Sequence, residues 1–411
     1  MTNTNGLAYS HMSTVTRLPP TAAYRYMVAW QTGKKVEGVE GQHLRAAFSD
    51  DAKTWTEPRT IPVGDKAVWS PVLFTHQGYV YLYYSVSTTC LRAKTPKRPE
   101  RWAPGGDILV VKSLDGITWG PPVSIYKQKD DESGIPKVIA NQPEVTANGK
   151  QMVLPYWKER PAQTTCATTG HATAGVLVAD TGGSEWKAYG EITSRGTWLI
   201  EGTIARRPDG KLLQLFRTKK GAIFQSVSPD GGRSWGTVTS LGLPNPNSKI
   251  DALRLSTGEL VLCYNDSPNQ RNRMRVAISA DGDKWHLLAD LEVPGKTGFA
   301  YAYPTMAQDG DKLLVTYSVW RKARNIPIDQ SGVRVVLIQL PQPIVGIDKI
   351  AKSAPKLGLV NVQAGAAINF KEEDKNVGRA KARAVRRVAG RAAAAKATAK
   401  TKTPPPAAKK G

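Results

Sequence analysis

Ser228-Pro229-Asp230-Gly231-Gly232-Arg233-Ser234-Trp235 is the stretch on which the reading of this chain turns. Asp and Gly make a tight turn between two strands, and the Asp carboxylate accepts backbone N–H bonds inside it. Ser adds a second bond, and the Trp folds back over the hairpin as an apolar plug. Three more copies run Ser49–Trp55, Ser113–Trp119 and Ser279–Trp285, and a worn fifth runs Asp180–Trp186. The five tryptophans are spaced by 64, 67, 49 and 50 residues, a period that belongs to a ring or array of supersecondary units. These residues build hairpins; they are not expected to catalyse.

A second rhythm runs between the boxes. Ser70–Phe74 leads through Gln77-Gly78 to Tyr79–Tyr84, and Gln142–Val145 through Asn148-Gly149 to Gln151–Tyr156. Glu201–Ala205, Ile250–Leu255 and Tyr303–Ala307 repeat the pattern through Asp209-Gly210, Thr257-Gly258 and Asp309-Gly310. Each is strand, glycine turn, strand, and with the box hairpin that follows makes a four-stranded antiparallel blade. Ser13–Leu18 with Tyr26–Trp30 opens the first blade, and Val333–Leu340 supplies a later strand of the last, which has no box. The expectation is an all-β, six-bladed β-propeller over residues 1–341, closed where the ends of the ring meet so that no sheet edge is left open. Residues 342–370 read as an irregular extension. Residues 371–411 read as a disordered tail of Ala, Lys, Arg and Pro with no apolar stripe to bury.

Charge is uneven. The tail holds 13 Lys or Arg against 3 acids, so it supplies +10 of the net +23 and leaves a body that is basic in its own right. Such a body favours acidic glycans, nucleic acid or anionic surfaces, and the tail has the composition for non-specific binding to nucleic acid or an anionic surface, or for simple solubilisation. Cys90, Cys166 and Cys263 are too few and too scattered for a disulfide framework, show no metal spacing, and are read as three separate thiols. His43, His76, His171 and His286 likewise show no paired metal spacing, so no metal or other cofactor is called for. The opening residues show neither a basic nor an apolar leader region, and no apolar run is long enough to span a bilayer. The location expected is cytoplasmic, or secreted if a leader is missing from the start.

The ordered set of boxes and blade strands resembles the sialidase (neuraminidase) superfamily, and more closely its BNR-repeat, predicted-neuraminidase branch. The segments that carry the likeness are Leu243–Asp251, Trp69–Phe74 and Tyr301–Pro304. The resemblance implies a neutral Tyr nucleophile activated by Glu, a separate carboxylic acid for the leaving oxygen, and arginines that hold the carboxylate of the sugar. By order and spacing, Glu201 would polarise Tyr301, with Tyr303 as the neighbour that could be mistaken for it. Arg217 and Arg271 would hold a carboxylate. The first blade departs from the family: His11 stands where a third Arg is expected, and the loop that should carry the acid offers Glu37 or Glu40, of which Glu37 is chosen. Asn141, Asp251, Asn265 and Asp266 fall at strand ends, as pocket side chains do, and the first three are assigned to substrate binding. Trp30, Trp69, Trp157, Trp198 and Trp320 lie outside the boxes and suit either sugar stacking or core packing.

One imidazole does not reproduce a guanidinium fork. The leading expectation is therefore a sialidase-like exo-glycosidase acting on a terminal acidic sugar, and the alternatives are a non-catalytic acidic-glycan-binding propeller or a uronate-directed hydrolase or lyase.

Overall fold

The computed structural model describes residues 9–341, apart from positions 35, 65, 96–98, 162–163, 183–184, 295–297 and 322–331, together with 363–364. The basic tail, and most of the stretch read as an irregular extension, lie outside the described residues. Six antiparallel sheets follow one another along the chain as the blades of a propeller, and a separate hairpin of Leu91–Arg92 and Arg101–Trp102 is inserted within the second. The inner strands, in chain order, are Tyr9–Arg17, Val68–His76, the split pair Lys137–Val138 and Glu144–Val145, Ile200–Arg206, Asp251–Arg254 and Phe299–Asp309. In the last blade Lys312–Arg321 and Gly332–Gln339 follow, and Gln363–Ala364, from within the expected extension, pairs as the outermost strand. Among the described residues no helix is long and apolar enough to cross a membrane.

The boxes form as the sequence dictates. Asp115 Oδ1 accepts the N–H groups of Ile117 (2.7 Å) and Thr118 (2.8 Å) and the Ser113 hydroxyl (2.9 Å), while Ser113 Oγ accepts from Gly116 N (2.8 Å). Gly116 sits at φ 76°, and a Cβ there would lie 3.0 Å from Leu18 Cδ2 in the preceding blade, so glycine answers both the turn and the packing. The tryptophan plug reaches further than its own hairpin. Trp119 joins the core of Leu18, Met27 and Phe48 from blade one, and Trp235 of blade four packs on Val153 and Val176 of blade three. Each of these boxes thus seals an apolar seam between blades, where most of the burial that stabilises a propeller lies.

Toward the axis the seams become polar and specific. Thr203 Oγ1 accepts from Ala252 N (2.9 Å) and donates to Ala252 O (3.1 Å), joining blades four and five. Thr305 Oγ1 donates to Ser13 O (3.0 Å), which closes blade six onto blade one. On the same seam Asp309 accepts from the Tyr26 hydroxyl (2.6 Å) and from Arg25 Nε (2.7 Å). The ring is closed by side chains across a seam, and among the described residues no strand is shared between its ends.

Two of the three cysteines correct the reading of separate thiols. Cys90 and Cys166 form a disulfide, which ties the insertion after the second strand of blade two to a loop of blade three; Cys263 remains free and buried. The spacing of 76 residues gave no signal, because the pairing depends on two loops from different blades meeting above the ring. Leu91 and Thr165 reinforce the meeting, with Thr165 N donating to Leu91 O (2.9 Å).

Candidate active site

Four inner strands carry the same local fault. Met12, Ser70, Glu201 and Tyr303 each sit at positive φ, between 49° and 60°, and each lies inside a β-bulge near the start of its strand. For non-glycine residues this backbone is costly, and a bulge re-aims the side chain beside it. Glu201 and Tyr303 are brought together in this way from blades four and six.

Arg217, which ends the second strand of blade four, joins them. Its Nη1 donates to both Glu201 oxygens (2.8 Å each) and to the Tyr303 hydroxyl (3.0 Å), and its Nε donates to Asn247 Oδ1 (2.7 Å). Arg271 Nη2 donates to Asn247 O (2.5 Å), and its guanidinium lies 5.5 Å from the Tyr303 ring and 5.9 Å from the Trp320 ring. Asn247 thus orients both guanidinium groups. It belongs to the Leu243–Asp251 segment that carried the family likeness, which was the signal that could have singled it out.

His11 packs edge-on against Tyr303 with ring centroids 4.1 Å apart, and its Nδ1 meets Ser318 Oγ at 3.1 Å. Burial, then the charges of Arg271 and Arg217, push its pKa down to about 3, so the imidazole is neutral. Glu37 faces the same group of side chains. Burial pushes its carboxyl up to about 7, against the Gln31 hydrogen bond, which pulls it down; the charge of Glu201 adds to the rise, while Arg101 and Arg217 oppose it. Gln31 is held in turn by Ser70 N, which donates to its Oε1 (2.8 Å). The loop bearing Glu37 is fixed by Gly38, whose carbonyl accepts from Trp102 N (2.7 Å) and whose missing Cβ would fall 2.7 Å from Trp102 O. Glu40, the other candidate, is exposed.

Several sequence assignments need correction. The Tyr301 side chain is 7% exposed and lies in the seam between blades five and six, T-shaped against Tyr317 at 6.2 Å and sharing Glu292 and Arg334 with it. The bulge at Ala302–Thr305 explains the exchange: it turns Tyr303, rather than Tyr301, toward Arg217. Asn141, Asp251 and Asn265 are 1%, 0% and 0% exposed; both amide nitrogens and one Asp251 oxygen bind backbone, while Asn141 Oδ1 and Asn265 Oδ1 accept no hydrogen bond among the described residues. Asn141 Nδ2 donates to the carbonyls of Glu201 (3.1 Å) and Gly202 (3.0 Å), Asp251 Oδ2 accepts from Met306 N (2.7 Å), and Asn265 Nδ2 donates to Tyr301 O (2.9 Å). Asp266 pairs with Arg275. Trp30, Trp69 and Trp157 are core residues, whereas Trp198 and Trp320 are half-buried. A cavity of about 550 Å³ lined by Arg17, His76, Glu144 and Arg254 opens at the other ends of the inner strands and holds none of the Tyr303 group.

The family described as "BNR repeat-like domain" matches residues 25–315. No curated protein matches the chain. Among solved structures, a protein of unknown function from Dyadobacter fermentans is similar with a TM-score of 0.63 at 17% identity, over 82% of this chain and 96% of that one. The NanB sialidase from Streptococcus pneumoniae follows with a TM-score of 0.59 at 14% identity, over 83% of this chain and 69% of that one. The intramolecular trans-sialidase from Ruminococcus gnavus has a TM-score of 0.57 at 14% identity, over 79% and 94%. At such identities the likeness shows a common fold.

Proposed function

Because this chain belongs to the BNR repeat-like domain family and shares its fold with sialidases, we propose that it is a sialidase-type exo-glycosidase, which removes a terminal acidic sugar from a glycan. The observation that carries the proposal is the contact of the Tyr303 hydroxyl with Arg217 at 3.0 Å, with both Glu201 oxygens 2.8 Å from the same Arg217 nitrogen. Arg217 and Arg271 hold the carboxylate of the sugar. That carboxylate would repel an anionic nucleophile, and the neutral phenol of Tyr303 avoids the repulsion. In the first step the Tyr303 oxygen bonds to the anomeric carbon and its proton passes to Glu201. Glu37, protonated below about pH 7, gives its proton to the departing glycosidic oxygen. In the second step Glu37, now a carboxylate, takes a proton from water as that water displaces Tyr303, which recovers its proton from Glu201.

Turnover of a fluorogenic sialoside, lost in Tyr303→Phe and in Glu201→Gln, is the expected result; a variant that keeps wild-type turnover would refute the assignment of that residue. His11 favours a second reading. A neutral imidazole grips a carboxylate less firmly than a guanidinium, so binding of acidic oligosaccharide without turnover would indicate a lectin-like propeller, and rising ultraviolet absorbance from an unsaturated uronate would indicate a lyase. For location, the Cys90–Cys166 disulfide supports an oxidising compartment outside the cytoplasm rather than the cytoplasmic site expected from the sequence.

A further inference from the structure

Lys249 is a lysine with no access to water. It is 1% exposed, on the short approach to the inner strand of blade five, and its Nζ donates to Pro304 O (2.5 Å) and to Thr305 Oγ1 (3.3 Å) in blade six. The opposite charge that acts on it most strongly is that of Asp251, two residues on and fully buried, whose Oδ2 accepts from Met306 N (2.7 Å) and whose Oδ1 meets the Thr203 hydroxyl (3.3 Å). Pro304, Thr305 and Met306 are therefore each gripped by one member of this pair, and Thr305 is tied besides to Ser13 of blade one.

These three residues directly follow Tyr303, at φ 60° within the bulge. A tyrosine does not rest there unaided, because left-handed backbone is unfavourable for a bulky side chain. A buried ammonium is also unfavourable unless it is paired and hydrogen-bonded, so a pair placed here holds something in place rather than adding stability. We propose that Lys249, backed by Asp251, is a positioning residue: it clamps the backbone behind Tyr303 and so holds the reacting hydroxyl against Arg217. Lys249 itself touches no substrate; it acts through the bulge. The inference rests on the reading of Tyr303 as the nucleophile.

The test replaces Lys249 by an apolar side chain of similar length. Lys249→Met alone leaves Asp251 buried without its partner, so the double variant Lys249→Met/Asp251→Asn is made beside it; an Asn oxygen can still accept from Met306 N. With a fluorogenic sialoside, kcat is expected to fall about 10- to 100-fold in the double variant with KM changed less than about twofold, because a shift of about 1 Å in a reacting group suffices for such a loss. Lys249→Arg, which keeps the charge and the donors, should recover part of the loss. A crystal structure of the double variant should show the Tyr303 hydroxyl out of hydrogen-bond reach of Arg217. Wild-type kcat, an equal rise in KM, or an unmoved Tyr303–Arg217 contact in the folded double variant would each overturn the proposal. If the wild-type protein turns over no substrate, the nucleophile assignment fails, while the crystallographic distance still decides whether Lys249 sets the position of Tyr303.

Discussion

The pH dependence of turnover tests the role given to Glu37. As general acid it must carry a proton, and its pKa lies at about 7 instead of the ordinary 4.5. At pH 7 roughly half of the molecules then hold the proton; an unshifted carboxyl would hold it in only about 0.3% of them, so the surroundings of Glu37 yield roughly 150 times more competent enzyme. kcat/KM should therefore be level near pH 6 and fall about tenfold per unit above pH 7. The Arg101 charge lowers the Glu37 pKa, so Arg101→Gln should raise it and move the falling limb to higher pH. Glu37→Gln should erase the limb and cost about 100- to 10,000-fold on an oligosaccharide with an ordinary alcohol as leaving group. The assay is kcat/KM across pH 5.5 to about 9 for the wild type and both variants. A level profile between pH 6 and about 8, a limb that survives Glu37→Gln, or a limb that moves down in Arg101→Gln would refute the reasoning. The sign for stability runs the other way round from the usual carboxylate. Since the folded pKa is raised, the unfolded chain releases the proton first, and Glu37 subtracts stability progressively as pH rises from 4.5 to about 7.

Two further outcomes follow from the corrections to the sequence reading. Tyr301→Phe should leave kcat within about twofold yet lower the free energy of unfolding in urea by about 1 kcal/mol, since it removes a hydroxyl from the partly buried Glu292–Arg334 cluster; loss of activity with unchanged stability would return the nucleophile role to Tyr301. Thiol titration of the denatured protein should find one reactive group without reductant and three after reduction, as Cys90 and Cys166 are joined and Cys263 is free; three without reductant would remove the disulfide.

The propeller was legible because its signals are local and repeated. The Ser-x-Asp-Gly turns satisfy their own hydrogen bonds within a few residues, so their chemistry can be read from any one copy. Glu201, Arg217 and Arg271 were picked out by order and spacing against the family pattern, which needs no knowledge of local backbone; Glu201 lies in a bulge and Arg271 in the loop before Met274–Ser279. Tyr303 was missed in favour of Tyr301 because the bulge breaks the regularity of its strand, and a bulge on one strand depends on contacts made by others. Lys249 and Asp251, which grip the segment after it, come from a different blade. Asn141, Asp251 and Asn265 stand at strand ends, as expected, but which way each amide or carboxylate is spent depends on neighbouring carbonyls and N–H groups. The disulfide was invisible for the same reason.

The kinked inner strands carry a consequence beyond the present chemistry. Met12, Ser70, Glu201 and Tyr303 occupy equivalent mounts in four of the six blades, and the proposal gives a reacting role to only two of them. At three of the mounts the backbone is fixed from behind by Thr14, Thr203 or Thr305, each of which binds the next blade, while Val72 stands at the fourth. A fixture of that kind lets the fitted side chain be exchanged while the wheel that carries it stays the same, so new reactivity on this scaffold has its natural points of entry at positions 12 and 70.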